Sequence, residues 1–301
     1  MSSTVRSLPR SSEVQEFELS FLGVCVPRDS WQAAFGFYTD TLGVACHSRD
    51  GKWAVLGAGW APYVEGRSRG LVWELFERVD SPPPVDSESN AALTPVVRLR
   101  NPASTIDVLA GSGVRYHTRV GPHGTNLAFN APGGTAWELR SHSAAHADAS
   151  LKSPEILEVN LRVEDTPRQI EFYRRLLGTP RRSVHDSATA TSSSSPRGAS
   201  WEFQPHSDGP VLRLTSGGRR HRRSSAAANS DPALAQPVFL GFMAQDLVAS
   251  VGRLKAAGVE VLRDVTHHDW GGTDCILADA DGNAVQVFTL DSEHAFGSAK
   301  R

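Results

Sequence analysis

The chain has 301 residues, 40% of them hydrophobic, with 31 Lys and Arg against 33 Asp and Glu. That length suits about two ordinary domains with packed cores, and the charge balance excludes a global field favouring nucleic acid or an anionic membrane. No apolar run approaches the ~20 residues of a membrane-spanning helix, and three widely spaced cysteines, Cys25, Cys46 and Cys275, argue for reduced thiols of an intracellular protein over a disulfide frame or zinc cluster.

In chain order, the opening "MSSTVRSLPRSSEV" carries serines and two arginines but no apolar stretch, so a secretory signal is not expected. The reading is cytoplasmic, with a mitochondrial transit segment as the alternative. "FLGVCV" (21–26) predicts a strand, and Trp31, Phe35, Tyr38 and Leu42 then recur at helical spacing until Gly43. "KWAVLGAG" and "GLVWELFE" read as strands. Strand "TPVVRLR", a helix over 102–112 and a strand ending in "GGTAWELR" follow. The small, polar stretch 143–153 reads as a linker.

The cycle then restarts. "EVNLRV" (158–163) is a strand, and Thr166-Pro167-Arg168-Gln169 predicts a capping box with Pro at the first helical position, before a helix that stops at Gly178. "SWEFQP", "PVLRLTS" and "PVFLGFMA" are strands. Leu247, Val251 and Leu254 mark one face of a helix capped by Gly258, and "GNAVQVFTL" closes the series. Two stretches, "SVHDSATATSSSSPRGAS" and "SGGRRHRRSSAAANSDPALAQ", lack the apolar residues to offset ordering entropy and read as surface loops. "RRHRR" is a nuclear address, an anion patch or a solvated loop tip, the last being preferred.

The restart is a duplication. "FYTDTLG" (37–43) matches "FYRRLLG" (172–178), "VLAGSGV" (108–114) matches "RLKAAGV" (253–259), and "NAPGGTAWEL" (130–139) matches "DADGNAVQVF" (279–288). The offsets, 135, 145 and 149 residues, keep their order and grow slowly, as lengthened loops in the second copy would produce. The first copy spans 16–142 and the second 154–290, each being βαβββ written twice. The extra residues of the second copy should lie after Thr179 and Ser216.

A strand, a helix ending "FYxxxLG", a helix ending "AAGV" and a "DADGN" turn before an alternating strand resemble the vicinal oxygen chelate, or glyoxalase/bleomycin-resistance, superfamily. The resemblance covers both copies. It implies an α+β fold of tandem glyoxalase-like domains, in which paired βαβββ modules curl their sheets into half-barrels around a cavity, with helices outside. It also implies small-molecule ligands. Members include a glutathione-dependent lyase, dioxygenases, epimerases and non-catalytic drug-binding proteins, so fold alone leaves function open.

Metal-using relatives place ligands on the first and last strand of each module. Carried over, those places are Phe21, Glu74, Thr94 and Glu138 in the first copy, and Glu158, Arg213, Phe239 and Gln286 in the second. None is histidine; Phe21 and Phe239 offer no donor and Arg213 repels a cation. No cofactor is expected, and a divalent metal is disfavoured. In the first copy Glu74 and Glu138 would face each other, sharing a proton as acid and base, holding a hard cation with water, or pairing with Arg98 and Arg140 on the same faces. Strand parity, independently of the family, turns Val159, Leu161 and Val163 to the helices and leaves Glu158, Asn160 and Arg162 opposite. Arg213 and Gln286 are assigned to that face too, giving the second copy a pocket for an anionic metabolite or a structural ion-pair network. His117, His123, His267 and His268 are expected in loops, with "THHDWGG" as a hairpin rim. The expected partner is a small, anionic molecule, not nucleic acid or a membrane. A lyase or isomerase and a partner-binding scaffold are the rival functions.

Overall fold

A computed structural model describes residues 16–57, 71–78, 93–98, 102–121, 124–140, 155–183, 200–204, 210–217, 231–269 and 271–290. The two loops expected to hold the extra residues of the second copy, RRHRR included, fall largely outside these. Four modules follow one another. The first is β1 (Phe17–Pro27), α1 (Trp31–Gly36), β2 (Cys46–Asp50), β3 (Trp53–Leu56) and β4 (Val72–Arg78). The second is β5 (Leu93–Arg98), α2 (Pro102–Gly111), β6 (Tyr116–Gly121), β7 (Gly124–Asn130) and β8 (Ala136–Arg140). The third is β9 (Glu155–Val163), α3 (Thr166–Leu177), β10 (Arg181–Ser183), β11 (Ser200–Phe203) and β12 (Val211–Ser216). The fourth is β13 (Val238–Ala244), α4 (Leu247–Ala256), β14 (Val261–His268), β15 (Gly272–Ala278) and β16 (Ala284–Leu290).

Local chemistry sets the ends of these elements. The cap of α3 is Asp165, one residue before the expected Thr166: its carboxylate accepts the Arg168 N–H at 3.2 Å, and Thr166 and Pro167 open the helix. Asp246 caps α4 in the same way through the Ala249 N–H, at 3.0 Å. Gly43 and Gly178 both take positive φ after their helices. The first helix departs from regular spacing. After six α-helical residues it widens to a π turn over Phe37–Thr41. Phe37 and Tyr38, neighbours in sequence, are both buried there.

Two curled eight-stranded sheets result, and their composition is not the one expected from the copy boundary. In one, β1 pairs antiparallel with β13, so the first module shares a sheet with the fourth. In the other, β5 pairs antiparallel with β9, joining the second module to the third. Each half-barrel therefore takes one module from each copy. The closing turns of the copies are equivalent, with Ala131 matching Asp279: Ala131 N–H to Thr135 O repeats as Asp279 N–H to Asn283 O, both 2.9 Å. The sequence match had set Asn130 against Asp279, one residue off.

The main core lies between the sheets and contains the repeated tyrosines. Tyr38 packs on Trp73 of one sheet and Trp137 of the other, and accepts the Trp137 indole N–H at 2.9 Å. Tyr173 packs on Phe203 and Phe242, again one from each sheet, and donates to Asp279 at 3.3 Å. The acidic turn then ties the modules of the second copy together. The buried Asp281 accepts the backbone N–H groups of Glu164 (2.8 Å) and Asp165 (3.4 Å), at the entry to α3. Asp281→Ala removes both acceptors, and a loss of about 2–4 kcal/mol is expected. Asp281→Asn, which keeps one carbonyl oxygen, should lose less; urea unfolding of the three proteins measures the order.

Candidate functional site

Strand register identifies the residues that meet on each concave face. Across β1 and β13, Phe21 lies opposite Gly241 and Gly23 opposite Phe239. Glu74 stands beside Gly23 and Gln286 beside Gly241. The four ligand-equivalent places of this sheet are thus Phe21, Glu74, Phe239 and Gln286. In the other sheet Thr94 is opposite Asn160, Val96 opposite Glu158, Glu138 beside Val96, and Arg213 beside Asn160. Its four places are Thr94, Glu138, Glu158 and Arg213.

This corrects two expectations. Glu74 and Glu138 do not face each other; they belong to different sheets. Gln286 does not join Glu158, Asn160, Arg162 and Arg213; it lies across from Glu74. The cause is the pairing of first strands across the copies, which exchanges half of each set. Arg98 lies in β5 opposite Arg140 of β8, in the sheet of Glu138. Of the histidines, His117 is on β6 and His267 and His268 are on β14, not in loops; His123 lies outside the described residues.

The Phe21 sheet is filled with hydrocarbon. The Phe21 and Phe239 rings meet edge to face with centroids 5.8 Å apart, and Phe288 and Phe76 extend the cluster. Each ring occupies the space over the glycine opposite it: a Cβ on Gly241 would sit 2.0 Å from the Phe21 ring, and one on Gly23 would sit 2.3 Å from the Phe239 ring. Ala233 and Leu234, just before β13, pack onto the same cluster. Glu74 is 8% exposed and accepts the Trp53 indole N–H at 3.2 Å. Burial pushes its carboxyl up to about 7, against a small opposing effect of that hydrogen bond.

Toward one edge, the buried Asp274 gathers three donors that the sequence did not mark as a unit. Arg263 and Gln286 donate to one carboxylate oxygen and His268 Nε2 lies 2.8 Å from the other. Arg263 also pairs with Asp231. The only sequence signal was the density of "THHDWGG"; the partners come from elsewhere in the chain. Gln286, expected to meet a ligand, is committed to this network.

The second sheet presents a polar face. The Arg213 guanidinium lies between two carboxylates. Its Nε and Nη2 donate to Glu202 Oε1 at 3.1 and 2.8 Å, and its Nη1 is 2.6 Å from Glu158 Oε1 in an ion contact whose alignment falls short of a hydrogen bond. The side chains are 14% exposed for Arg213, 5% for Glu158 and 25% for Glu202, so this is an enclosed triad. Asn160, Arg162 and Thr94 are half-buried on the same face, as is Glu138, one strand beyond Val96 and about 10 Å from the Glu158 strand. Glu202 was missed in the sequence, although alternation with the packed Trp201 and Phe203 turns it to this face.

Neither set of four fits a metal ion. Phenylalanine supplies no donor, and in the second sheet the cation beside Glu158 is Arg213 itself. Among the described residues no group of three or more His, Cys, Asp or Glu side chains converges as metal ligands. A groove of about 730 Å³ lies elsewhere, on the helix side between α3, the end of α4 and the β15–β16 turn. Its Arg175 is held by Glu171 and by the Ala257 carbonyl.

Residues 155–287, the third and fourth modules, match the model of the glyoxalase/bleomycin resistance protein/dioxygenase superfamily. None of the curated proteins matches the sequence. Among solved structures the chain is similar to glyoxalase I from Zea mays, at 16% identity, covering 91% of this chain and 93% of that one with a TM-score of 0.58. A point mutant of that enzyme matches at 16% identity, 90% and 93% coverage and a TM-score of 0.61. A putative dioxygenase from Bacillus subtilis subsp. subtilis str. 168 matches at 13%, 90%, 85% and 0.55. At these identities the likeness is one of fold: tandem glyoxalase-like domains over the length of the chain.

Two outcomes are expected on the Phe21 sheet. The folded protein holds the Glu74 proton more tightly than the unfolded chain, whose carboxyl titrates near 4.5. Stability from this group is therefore complete below pH 4.5 and is lost as pH rises through about 7. At roughly 1.4 kcal/mol per pKa unit the loss is about 3–4 kcal/mol. Glu74→Gln should remove this slope and be the more stable protein at pH 8 in denaturant titrations run across pH. Gly241→Ala should cost about 1–3 kcal/mol by displacing the Phe21 ring. Adding Phe21→Leu should cost less than the sum of the single changes, since the two positions share one space; additive losses would contradict that.

Proposed function

We propose that this protein binds a small, polar, anion-bearing metabolite on the sheet built by its second and third modules. The observation that carries this reading is the contrast between the two concave faces. One is filled by its own phenylalanines; the other holds the enclosed Arg213 between Glu158 and Glu202, with Thr94, Glu138, Asn160 and Arg162 around it. A guanidinium held in place by carboxylates is pre-oriented for a carboxylate or phosphate, and its planar fork suits either.

"DGKWAVLGAGWAP", "GLVWEL", "APGG" and "ILADADGN" also resemble glyoxalase domain-containing protein 4, and we read the chain as a protein of that type. The reading places it in the cytoplasm, with the mitochondrion as alternative, and gives it no nucleic-acid or membrane partner. No helix among the described residues is long and apolar enough to cross a membrane. The alternative of a metal-dependent lyase needs at least three donors at one sheet centre. At the four places of the second sheet Glu138, Glu158 and the Thr94 hydroxyl carry oxygen, but the Arg213 guanidinium beside Glu158 holds the position a metal cation would need. The alternative of a non-catalytic scaffold has the ion triad as pure architecture.

Thermal-shift titration with small carboxylates and inorganic phosphate separates these readings. Arg213→Ala loses melting temperature under every reading, because Glu158 stays buried without its guanidinium, so wild type decides. Stabilisation of wild type by an anion is expected, weakened about ten- to a hundredfold in Arg213→Ala and not fully restored by Arg213→Lys. A wild type that no anion stabilises would make the triad architectural.

A further inference from the structure

Resting on that reading, the hydrogen-bonding inventory of the Arg213 face narrows the ligand. A guanidinium carries five N–H donors. Two of those on Arg213 make aligned hydrogen bonds, both to the single oxygen Oε1 of Glu202. Two donors converging on one oxygen is a poorer match than the two-oxygen fork that a free carboxylate makes. Glu158 contributes charge at 2.6 Å without an aligned hydrogen bond. One strand away, in register with Arg213, the buried Oδ1 of Asn160 has no hydrogen-bond partner among the described residues. Adjacent strands are about 4.8 Å apart. An enclosed guanidinium with donors to spare thus stands beside an enclosed acceptor without a donor, and leaving such an acceptor unmatched is costly.

We infer that the ligand is a small carboxylate with a hydroxyl or ammonium donor on the adjacent carbon, and that Glu202 is the displaceable group that holds its place. The ligand carboxylate takes the fork of Arg213, and its donor meets Asn160 Oδ1. Glu202 is the group that yields, because at 25% exposure it has a route back to water that Glu158, at 5%, lacks. The enclosed carboxylate stays behind to fix the guanidinium.

Calorimetric titration of the full chain with acetate, glycolate and glycine tests this. Glycolate, glycine or both should bind wild type several-fold more tightly than acetate, and which of them does so distinguishes the hydroxyl from the ammonium. Glu202→Gln, nearly isosteric and partly exposed, should bind the preferred probe roughly tenfold more tightly, as expected when a competitor worth about one hydrogen bond is weakened. Glu171→Gln, an exposed carboxylate on α3, should change nothing, which controls for net charge. Asn160→Ala should abolish the preference over acetate, while Asn160→Asp, which is nearly isosteric and keeps an acceptor, should retain a preference for glycine. Equal affinities for all three probes, or no gain in Glu202→Gln, overturns this inference while leaving the metabolite-binding reading intact. Absence of binding of these carboxylates and of inorganic phosphate to both wild type and Glu202→Gln overturns both.

Discussion

Everything in this molecule depends on the free edge of each module's first strand. Within a module that strand is bonded on one side only, to the last strand of the same module, as β1 is to β4 and β9 to β12. Its other edge presents a row of backbone groups that must find partners when buried. The first strand of another module meets that demand, antiparallel and in a register that brings two modules around one concave face. Four such strands allow more than one pairing. The one formed is first with fourth and second with third, so the chain closes as two nested units rather than two consecutive ones.

The two faces then diverge through what burial does to the residues placed there. Phenylalanine at the two symmetric places of one sheet gains by leaving water, and the reciprocal glycines give each ring its space. The carboxyl trapped beside those rings, Glu74, keeps its proton to near neutral pH because the charged form finds little solvation. The other sheet carries Glu158 and Arg213 at comparable depth. There the charges stay buried by compensating each other, and the compensation is incomplete in hydrogen bonds: donors of Arg213 and the Asn160 oxygen lack aligned partners among the described residues. One face closes on itself, and the other keeps polar groups without aligned partners among the described residues.

The repeated aromatic pair links both faces to the core. Tyr38 and Tyr173 each touch an aromatic residue from both sheets. The short acidic turn at 279–283 does the same with backbone groups, as Asp281 on one sheet's turn holds the entry of a helix belonging to the other. These contacts bind the modules of one copy together even though their strands lie in different sheets. Covalent neighbours are thus joined through the helix layer and distant modules through strand edges.

The sequence by itself determined the order of the modules and the first and last strand of each, the glycine stops after the helices, the capping of α3 to within one residue, and the inward and outward alternation of β9; it left β6 and β14 as loops. These are local properties, set by side-chain period and backbone conformation over a few residues. Only the tertiary structure decided which residues share a face. Alternation assigns a residue to a side of its strand but is blind to which strand lies beside it, and that choice involves edges far apart in the chain. Hence Glu74 was expected opposite Glu138 and lies with Gln286; Glu202, silent in the sequence, became the partner of Arg213 once β11 was laid against β12.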